Sequence, residues 1–388
     1  MNLTQAAEAA KDYIIEQRRW FHQHPEVSEQ EFESCKRIRA ELDKMGVEWR
    51  PCGLETGTLA TIKGAKPGKT ILLRADMDGL TVQEETGLEY ASEVPGVMHA
   101  CGHDCHMAML LTAARILNEV KDELCGTVRL AFQPAEEVAT GAKSMIDEGA
   151  LEGVDGCFSQ HVWADVEAGK VCIEAGPKMA FADWFLIDIQ GKGSHGAAPH
   201  QGIDAATVSA AMVEAIQTIV SREVDPNQPA VMTVGVVNVG TRWNVVPEYS
   251  HIEGTARGFD PGVRKQMEEA LRRIVKSVAE AYRVDAKLEW RYIVPPTVND
   301  AAMAAVVAGA AKKVMGPDAL AAYDKTNGGE DFAYFMEKVP GAVAFLGIRN
   351  EACGAVWVNH SGHFCVDETA LINGAKLYAQ TAMDFNAQ

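Results

Sequence analysis

Residues 175–179 read "AGPKM", and the chain follows different rules on either side of them. Upstream, helical and strand patterns alternate. Downstream, the order becomes strand 183–191 ("DWFLIDIQG"), helix 203–222, strand 230–239, strand 249–259, helix 261–283 and strand 286–294. That order, βαββαβ, is the ferredoxin-like arrangement. It stops at "VPPTVND" (294–300), a Pro-Pro break followed by an Asn-Asp helix start.

Working outward, both flanks share one grammar. Helical spacing (Ala6, Ala10, Ile14, Arg18) predicts a helix over 3–22, and "SEQE" (28–31) reads as a capping box opening a second helix at Ser28. Short apolar runs at 58–63 and 70–75 suit buried strands. A helix at 104–120, strand 127–133, helix 140–149 and strand 156–163 follow. After the break come helices at 300–315 and 331–338, strand 342–348 and a last helix at 367–385. Strands alternating with helices imply an α/β/α sandwich with a mostly parallel sheet. The expected organisation is a catalytic domain of residues 1–178 and 295–388, interrupted by an inserted α+β domain at 179–294.

Composition narrows the function. The chain has 388 residues, 47% apolar and 23% charged, as ordinary globular proteins have. A formal charge of −18 argues against nucleic acid or an anionic membrane as partner. No apolar run nears the ~20 residues that span a bilayer. The start lacks the basic and apolar regions of a secretory signal. Nine cysteines, scattered and without a CxxC pair, fit reduced thiols in a cytoplasm.

Chemistry concentrates at "MHACGHDCHMA" (98–108). Cys101 and His103, two apart before a helix, can converge on one ion; a buried thiol beside a capping histidine is the plainer reading. A structural zinc clamp would need a second local pair, and none follows. Elsewhere, "FQPAEEV" (132–138) sets Glu136 and Glu137 directly after a strand, His161 is expected to end the next strand, and Asp76 and Asp78 follow "ILLR". Taken singly, each suits a solvated loop or a structural role. Together, three strands deliver acids or imidazole to one sheet edge, where α/β proteins place their sites. "VNHSGHF" (358–364) offers His360 and His363. Thiolate, imidazole and carboxylate suit Zn, Mn, Co or Ni rather than Mg or Ca. In the insertion, "GKGSHGAAPH" (191–200) puts His195 in a glycine-rich loop. Asn244 and Arg257 offer an amide and a guanidinium to a carboxylate.

These motifs, with "FHQHPEVSEQE" (21–31), "NVVPE" (244–248) and "GGEDFAYF" (328–335), resemble the metallo-aminoacylase/carboxypeptidase superfamily. The resemblance covers nearly the whole chain and is nearest the hippurate hydrolase, N-acyl-amino-acid amidohydrolase and indole-acetyl-amino-acid hydrolase branch. It implies a centre of two divalent metal ions held by Cys101, His103, Glu137, His161 and His360. Glu136 would be the general base and His195 would reach the substrate carbonyl, in family dimers often across to the other subunit. Asn244 and Arg257 would lie near the substrate carboxylate, and Asp78 would orient the metal shell. His363, Cys105 and His106 match no ligand position. The chain departs from the family at Gly79-Leu80-Thr81, where Ala-Leu-Pro is usual, at Cys105, and at Gly362, where Pro is common. The implied activity is metal-dependent hydrolysis of N-acyl amino acids, with a dipeptidase or carboxypeptidase as the alternative and a non-catalytic acyl-amino-acid binder behind both. The implied partners are a small acyl amino acid or short peptide and a second copy of the chain, paired through the insertion, which would act as a lid.

Overall fold

The runs "ILLRA" (71–75) and "VRLAF" (128–132) lie side by side as parallel strands, buried along nearly their whole length. Central strands of a parallel sheet require this, because both faces are covered. In the computed structural model, which describes residues 2–388, the elements run in chain order as follows. First come α1 (Leu3–Glu8), α2 (Lys11–Gln23), α3 (Phe32–Met45), β1 (Glu48–Pro51), β2 (Thr58–Lys63) and β3 (Lys66–Asp76). Next are α4 (His103–Glu119), β4 (Cys125–Gln133), α5 (Gly141–Asp147), β5 (Gly156–Glu167), β6 (Val171–Cys172) and β7 (Gly176–Met179). Then follow β8 (Phe181–Gln190), β9 (Ser194–His195), α6 (Ala205–Thr218), β10 (Ala230–Val239), β11 (Val245–Val246) and β12 (Tyr249–Gly258). After α7 (Pro261–Tyr282), β13 (Asp285–Val294) and β14 (Thr297–Asn299), the chain ends with α8 (Ala301–Met315), α9 (Ala333–Met336), β15 (Gly341–Arg349) and α10 (Leu371–Asn386).

Two units emerge. One comprises Met1–Gly176, Val298–Asp324 and Asp331–Gln388; the other comprises Pro177–Thr297 and Lys325–Glu330. The first holds a seven-stranded sheet in the order β1-β2-β4-β3-β5-β15-β6, parallel from β4 to β15 and antiparallel at both margins. Strand alternation divides β3 between two layers. Ile71, Leu73 and Ala75 join the main core with α4 and α10, while Arg74 turns to the other face beside the Phe332 ring. Helix α4 is apolar nearly all round and buried at 14 of its 17 residues, so it forms a fixed strut whose first residue is His103.

In the second unit β10-β12-β8-β13 form an antiparallel sheet. Phe185, Ile187, Ile189 and Ile252 pack with Met212 and Ile216 of α6 and Met267 and Leu271 of α7. Asp204 and Asp260 cap these helices by accepting from Ala206 N and Val263 N. This is the expected ferredoxin-like order.

Three expectations about helices change. The helix expected over 3–22 is two helices, broken between Glu8 and Lys11. The helix expected over 203–222 ends at Thr218 and continues as a π turn over Ile219–Glu223. Ser28 does not cap α3, which starts four residues later. Its first-turn N–H groups at Glu33 and Ser34 donate instead to the Glu26 carboxylate, at 3.0 and 2.8 Å. Among the described residues, no helix is long and apolar enough to cross a membrane.

Candidate metal centre

The carboxyl ends of β3 and β4, the middle of β5 at His161 and the start of α4 meet the 359–360 segment, and there the five expected ligands come together. Cys101, His103 and His161 form one group, and Cys101, Glu137 and His360 a second; within each, the candidate ligand atoms lie within 4.8 Å of one another. Cys101 belongs to both. Its Sγ lies 3.3 Å from His161 Nε2 and 3.3 Å from His360 Nε2. His360 Nε2 is 3.6 Å from Glu137 Oε1, and His103 Nε2 is 3.9 Å from the same oxygen. Glu136 joins His103 and Glu137 in a third group.

Two of the cluster's imidazoles have their tautomer set by a neighbour. His103 Nδ1 donates to Asp78 Oδ1 at 3.2 Å, and His161 Nδ1 donates to Val162 O at 2.7 Å, so both Nε2 lone pairs face the cluster. His106 is different. Its Nδ1 donates to Asp76 Oδ1 at 2.5 Å and its Nε2 accepts from Val162 N at 2.9 Å, which leaves neither nitrogen for an ion. His363 is engaged by Glu85 and lies against Trp357. His99 is fully buried with no hydrogen bond at either ring nitrogen, and burial lowers its pKa to about 4.

Backbone geometry completes the positioning. Gly102 enters α4 at φ 97°, and a Cβ there would fall 2.3 Å from Val162 Cγ2. His360 has φ 69°, a left-handed conformation that costs a non-glycine residue on the order of 1–3 kcal/mol. The two other residues of "SEQE" with assigned jobs brace the centre instead of a helix. Ser28 Oγ donates to Asp78 Oδ2 at 2.7 Å, the oxygen that also accepts from Glu137 N at 3.0 Å. Glu31, fully buried, accepts from Ala135 N at 2.9 Å and Thr56 Oγ1 at 2.8 Å, fixing the loop that carries the glutamate pair.

Charge and unmet hydrogen-bonding capacity together test whether the residues fit metal ions. Burial, then Glu137 and Glu136, push the Cys101 thiol well above its usual range, and burial also raises Glu137. Burial alone would depress His103, but Asp76, Asp78 and Glu137 outweigh it and lift its pKa to about 10. His103 Nε2 and Glu137 Oε1 are buried without a hydrogen-bond partner, which is rare for such atoms. A soft thiol, three imidazoles and a carboxylate aimed at one negative pocket are a donor set for Zn-like ions.

Sequence reasoning missed Asp331. It accepts from Arg74 at 2.8 Å, from Gln133 Nε2 at 2.8 and 2.9 Å, and from Ala142 N at 3.1 Å. Arg74 also donates to Asp76 Oδ2 at 2.6 Å, so Asp331 supports the acid behind His106. An acid after the glycine pair of "GGED" was the available signal.

In the second unit, His195 and Asn244 are brought together and Arg257 stands apart. His195 pairs with Val245 across the β9–β11 ladder, and Gly196 N donates to Asn244 O at 2.9 Å. A Cβ on Gly196 would fall 2.9 Å from that oxygen, so the close approach requires glycine. Ala197 N donates to His195 Nδ1 at 3.0 Å, which places the ring proton on Nε2. Asn244 Oδ1 is buried without a partner. Arg257 pairs with Ala182 at the far end of β12, whereas Ser250 pairs with Ile189 at the end near the ladder. Those seven steps of strand span roughly 23 Å.

The protein-family comparison matches residues 72–384 to peptidase family M20/M25/M40. The chain is 42% identical over 371 residues to N-acetyl-L-cysteine deacetylase of Bacillus subtilis (strain 168), covering 95% of this chain and 87% of that protein. It is 41% identical over 380 residues to thermostable carboxypeptidase 1 of Saccharolobus solfataricus, covering 97% and 96%. A crystal structure of a dinuclear metal binding peptidase of the M20 family from Bacillus subtilis is similar at a TM-score of 0.86 and 35% identity, over 97% of this chain and 98% of that one. Geometry, donor chemistry and sequence thus converge, and the chain belongs to peptidase family M20/M25/M40.

Proposed function

We propose that the protein is a metal-dependent amidohydrolase that cleaves N-acyl amino acids to a carboxylic acid and a free amino acid. The observation that carries this reading is the cluster of five donors, with Cys101, His103 and His161 buried, beside a separate glutamate. Cys101, His103, Glu137, His161 and His360 would hold two divalent ions of the Zn, Mn, Co or Ni class, leaving Glu136 to move protons. Such ions supply Lewis acidity and bring the pKa of water toward neutrality. Glu136 takes the proton of the attacking water and delivers it to the leaving amine. His195, protonated at Nε2, donates to the carbonyl oxygen as negative charge develops there. Arg257, half-buried and without an ion-pair partner among the described residues, binds the free carboxylate; Asn244 orients the substrate.

The spacing of His195 and Arg257 bears on assembly. Arg257 lies seven strand steps, roughly 23 Å, from Ser250, the β12 residue near the ladder that carries His195, which is long for one small acyl amino acid to bridge within a single chain. We therefore take the working form to be a homodimer paired through the inserted unit, with His195 and Asn244 of one copy serving the substrate held by Arg257 of the other. Nine free cysteines support a reducing, cytoplasmic setting.

A second reading, cleavage of C-terminal peptide bonds, is favoured by the likeness to a thermostable carboxypeptidase. A panel of N-acyl amino acids and dipeptides, assayed for free amino acid with Zn, Mn, Co or Ni, separates the two. Hydrolysis of acyl amino acids that a chelator abolishes and added metal restores is expected. Turnover that survives exhaustive chelation would overturn the metal-centre reading.

A further inference from the structure

Packing does little to hold the segment that presents His360. Trp357 and Val358 are 49% and 56% exposed, and the His360 side chain is 55% exposed. Hydrogen bonds hold it instead, and most come from the preceding residue. Asn359 Nδ2 donates to Cys101 O at 3.0 Å and to Val162 O at 3.3 Å, while Asn359 Oδ1 accepts from Ala164 N at 3.4 Å. His360 N adds a bond to Ala100 O at 2.8 Å. Val162 O is also the acceptor for the His161 ring. One half-buried amide therefore ties together the segments that carry Cys101, His161 and His360.

We propose that Asn359 is a positioning residue of the metal centre, setting where His360 stands relative to Cys101 and Glu137. The inference rests on the reading of His360 as a ligand. It concerns chiefly one half of the centre: the Cys101–Glu137–His360 group depends on Asn359 for the placing of His360, whereas the rings of His103 and His161 have hydrogen bonds of their own, to Asp78 and to Val162 O. The chemistry of the amide is essential. It donates to two carbonyls and accepts from one N–H, which no other side chain of its shape can do. An aspartate there would keep the volume and the acceptor but would aim a carboxylate oxygen at two carbonyl oxygens.

The test uses the full chain, stripped with a chelator and titrated with Co(II) by calorimetry, as wild type, His360→Ala, Asn359→Ala and Asn359→Asp. Wild type is expected to bind two ions and His360→Ala to lose one. Both Asn359 variants are expected to bind one ion as wild type does and the other about 10–100-fold more weakly, the usual cost of losing an outer-shell partner. Thermal unfolding of the stripped variants should match wild type, and excess Co(II) should restore turnover in Asn359→Ala. Full retention of both ions by His360→Ala would sink the ligand reading, and this inference with it. If His360→Ala loses an ion but Asn359→Asp binds both normally, the ligand reading stands and the positioning role is wrong. Equal weakening of both ions, or unfolding of both Asn359 variants, would show a general structural role instead.

Discussion

His103 and Asp104 are neighbours at the start of one buried helix, yet they join networks of opposite character. Asp104 meets Arg18 Nε at 3.0 Å and His22 Nδ1 at 2.8 Å, and Arg18 and His22 reach on to Glu368 and Glu84. Burial resists its charge, but Arg18 and His22 prevail and hold its carboxyl well below the usual range. His103 faces Asp76, Asp78 and Glu137, beside a thiol. Arg74, the guanidinium on that side, is shared between Asp76 and Asp331. Both networks bury acids; only the first brings enough positive charge of its own. Buried acidity does not mark a metal centre, but buried acidity without a matching cation does.

The comparison breaks most readily at Glu136. The proton-carrying role proposed for it, distinct from that of the metal donors, predicts that Glu136→Gln loses about 10²–10⁴-fold in kcat while keeping its metal. Metal analysis beside steady-state kinetics checks this, and full turnover would remove Glu136 from the mechanism. On the self-balanced side, Arg18→Met leaves Asp104 short of its cation. That should cost about 3–5 kcal/mol of stability, read from denaturant unfolding, with metal content unchanged. A parallel loss of metal would show that the two networks are one.

The second unit offers a third kind of charge: Arg257 feels Asp183 at a distance but has no ion-pair partner among the described residues. His195→Ala should lower kcat by about 10²–10³-fold and leave metal content alone. If two copies build each site, mixing inactive His195→Ala with inactive Arg257→Ala should recover roughly a quarter of wild-type activity, from the one intact site of each mixed dimer. No recovery after verified subunit exchange would confine the site to one chain.

The smallest effect belongs to the half-exposed pair His251–Asp188. Hydrogen bonds donated to Asp188 and Glu253 raise the His251 pKa above 6.5, and those accepted from Tyr249 and His251 lower that of Asp188 below 3.8. The contribution of His251 is therefore full below pH 6.5 and lost as pH rises through its folded pKa. That of Asp188 is present above pH 3.8 and lost as pH falls through its folded value. Thermal scans should show a slight loss of stability between about pH 6 and pH 8 that His251→Gln removes. An unchanged slope in that variant would assign the dependence elsewhere.

Legibility followed the range of the forces involved. The βαββαβ order could be read because each of its elements carries its own periodicity; the caps of its two helices, Asp204 and Asp260, are likewise local. The candidate residues could be singled out because they sit in dense motifs or in and after apolar strands, but the choice of these five came from the family resemblance. Ser28 misled because its hydroxyl has two possible uses, a local N–H or the distant Asp78, and only the fold decides between them. Asp331 was missed for the same reason: its partner Arg74 is 257 positions away along the chain. The separation of Asn244 from Arg257 was invisible because a sequence lists residues without saying which end of a strand each occupies.

Gly102 carries a last consequence. A side chain there would collide with Val162, and φ 97° is closed to other residues, so the turn that delivers Cys101 and His103 leaves no freedom at the position between them. In a saturation library screened for activity, position 102 should tolerate change as poorly as its two neighbours, although glycine offers the centre no donor atom. A genetic screen would then report three indispensable positions in a row, and chemistry would account for only two.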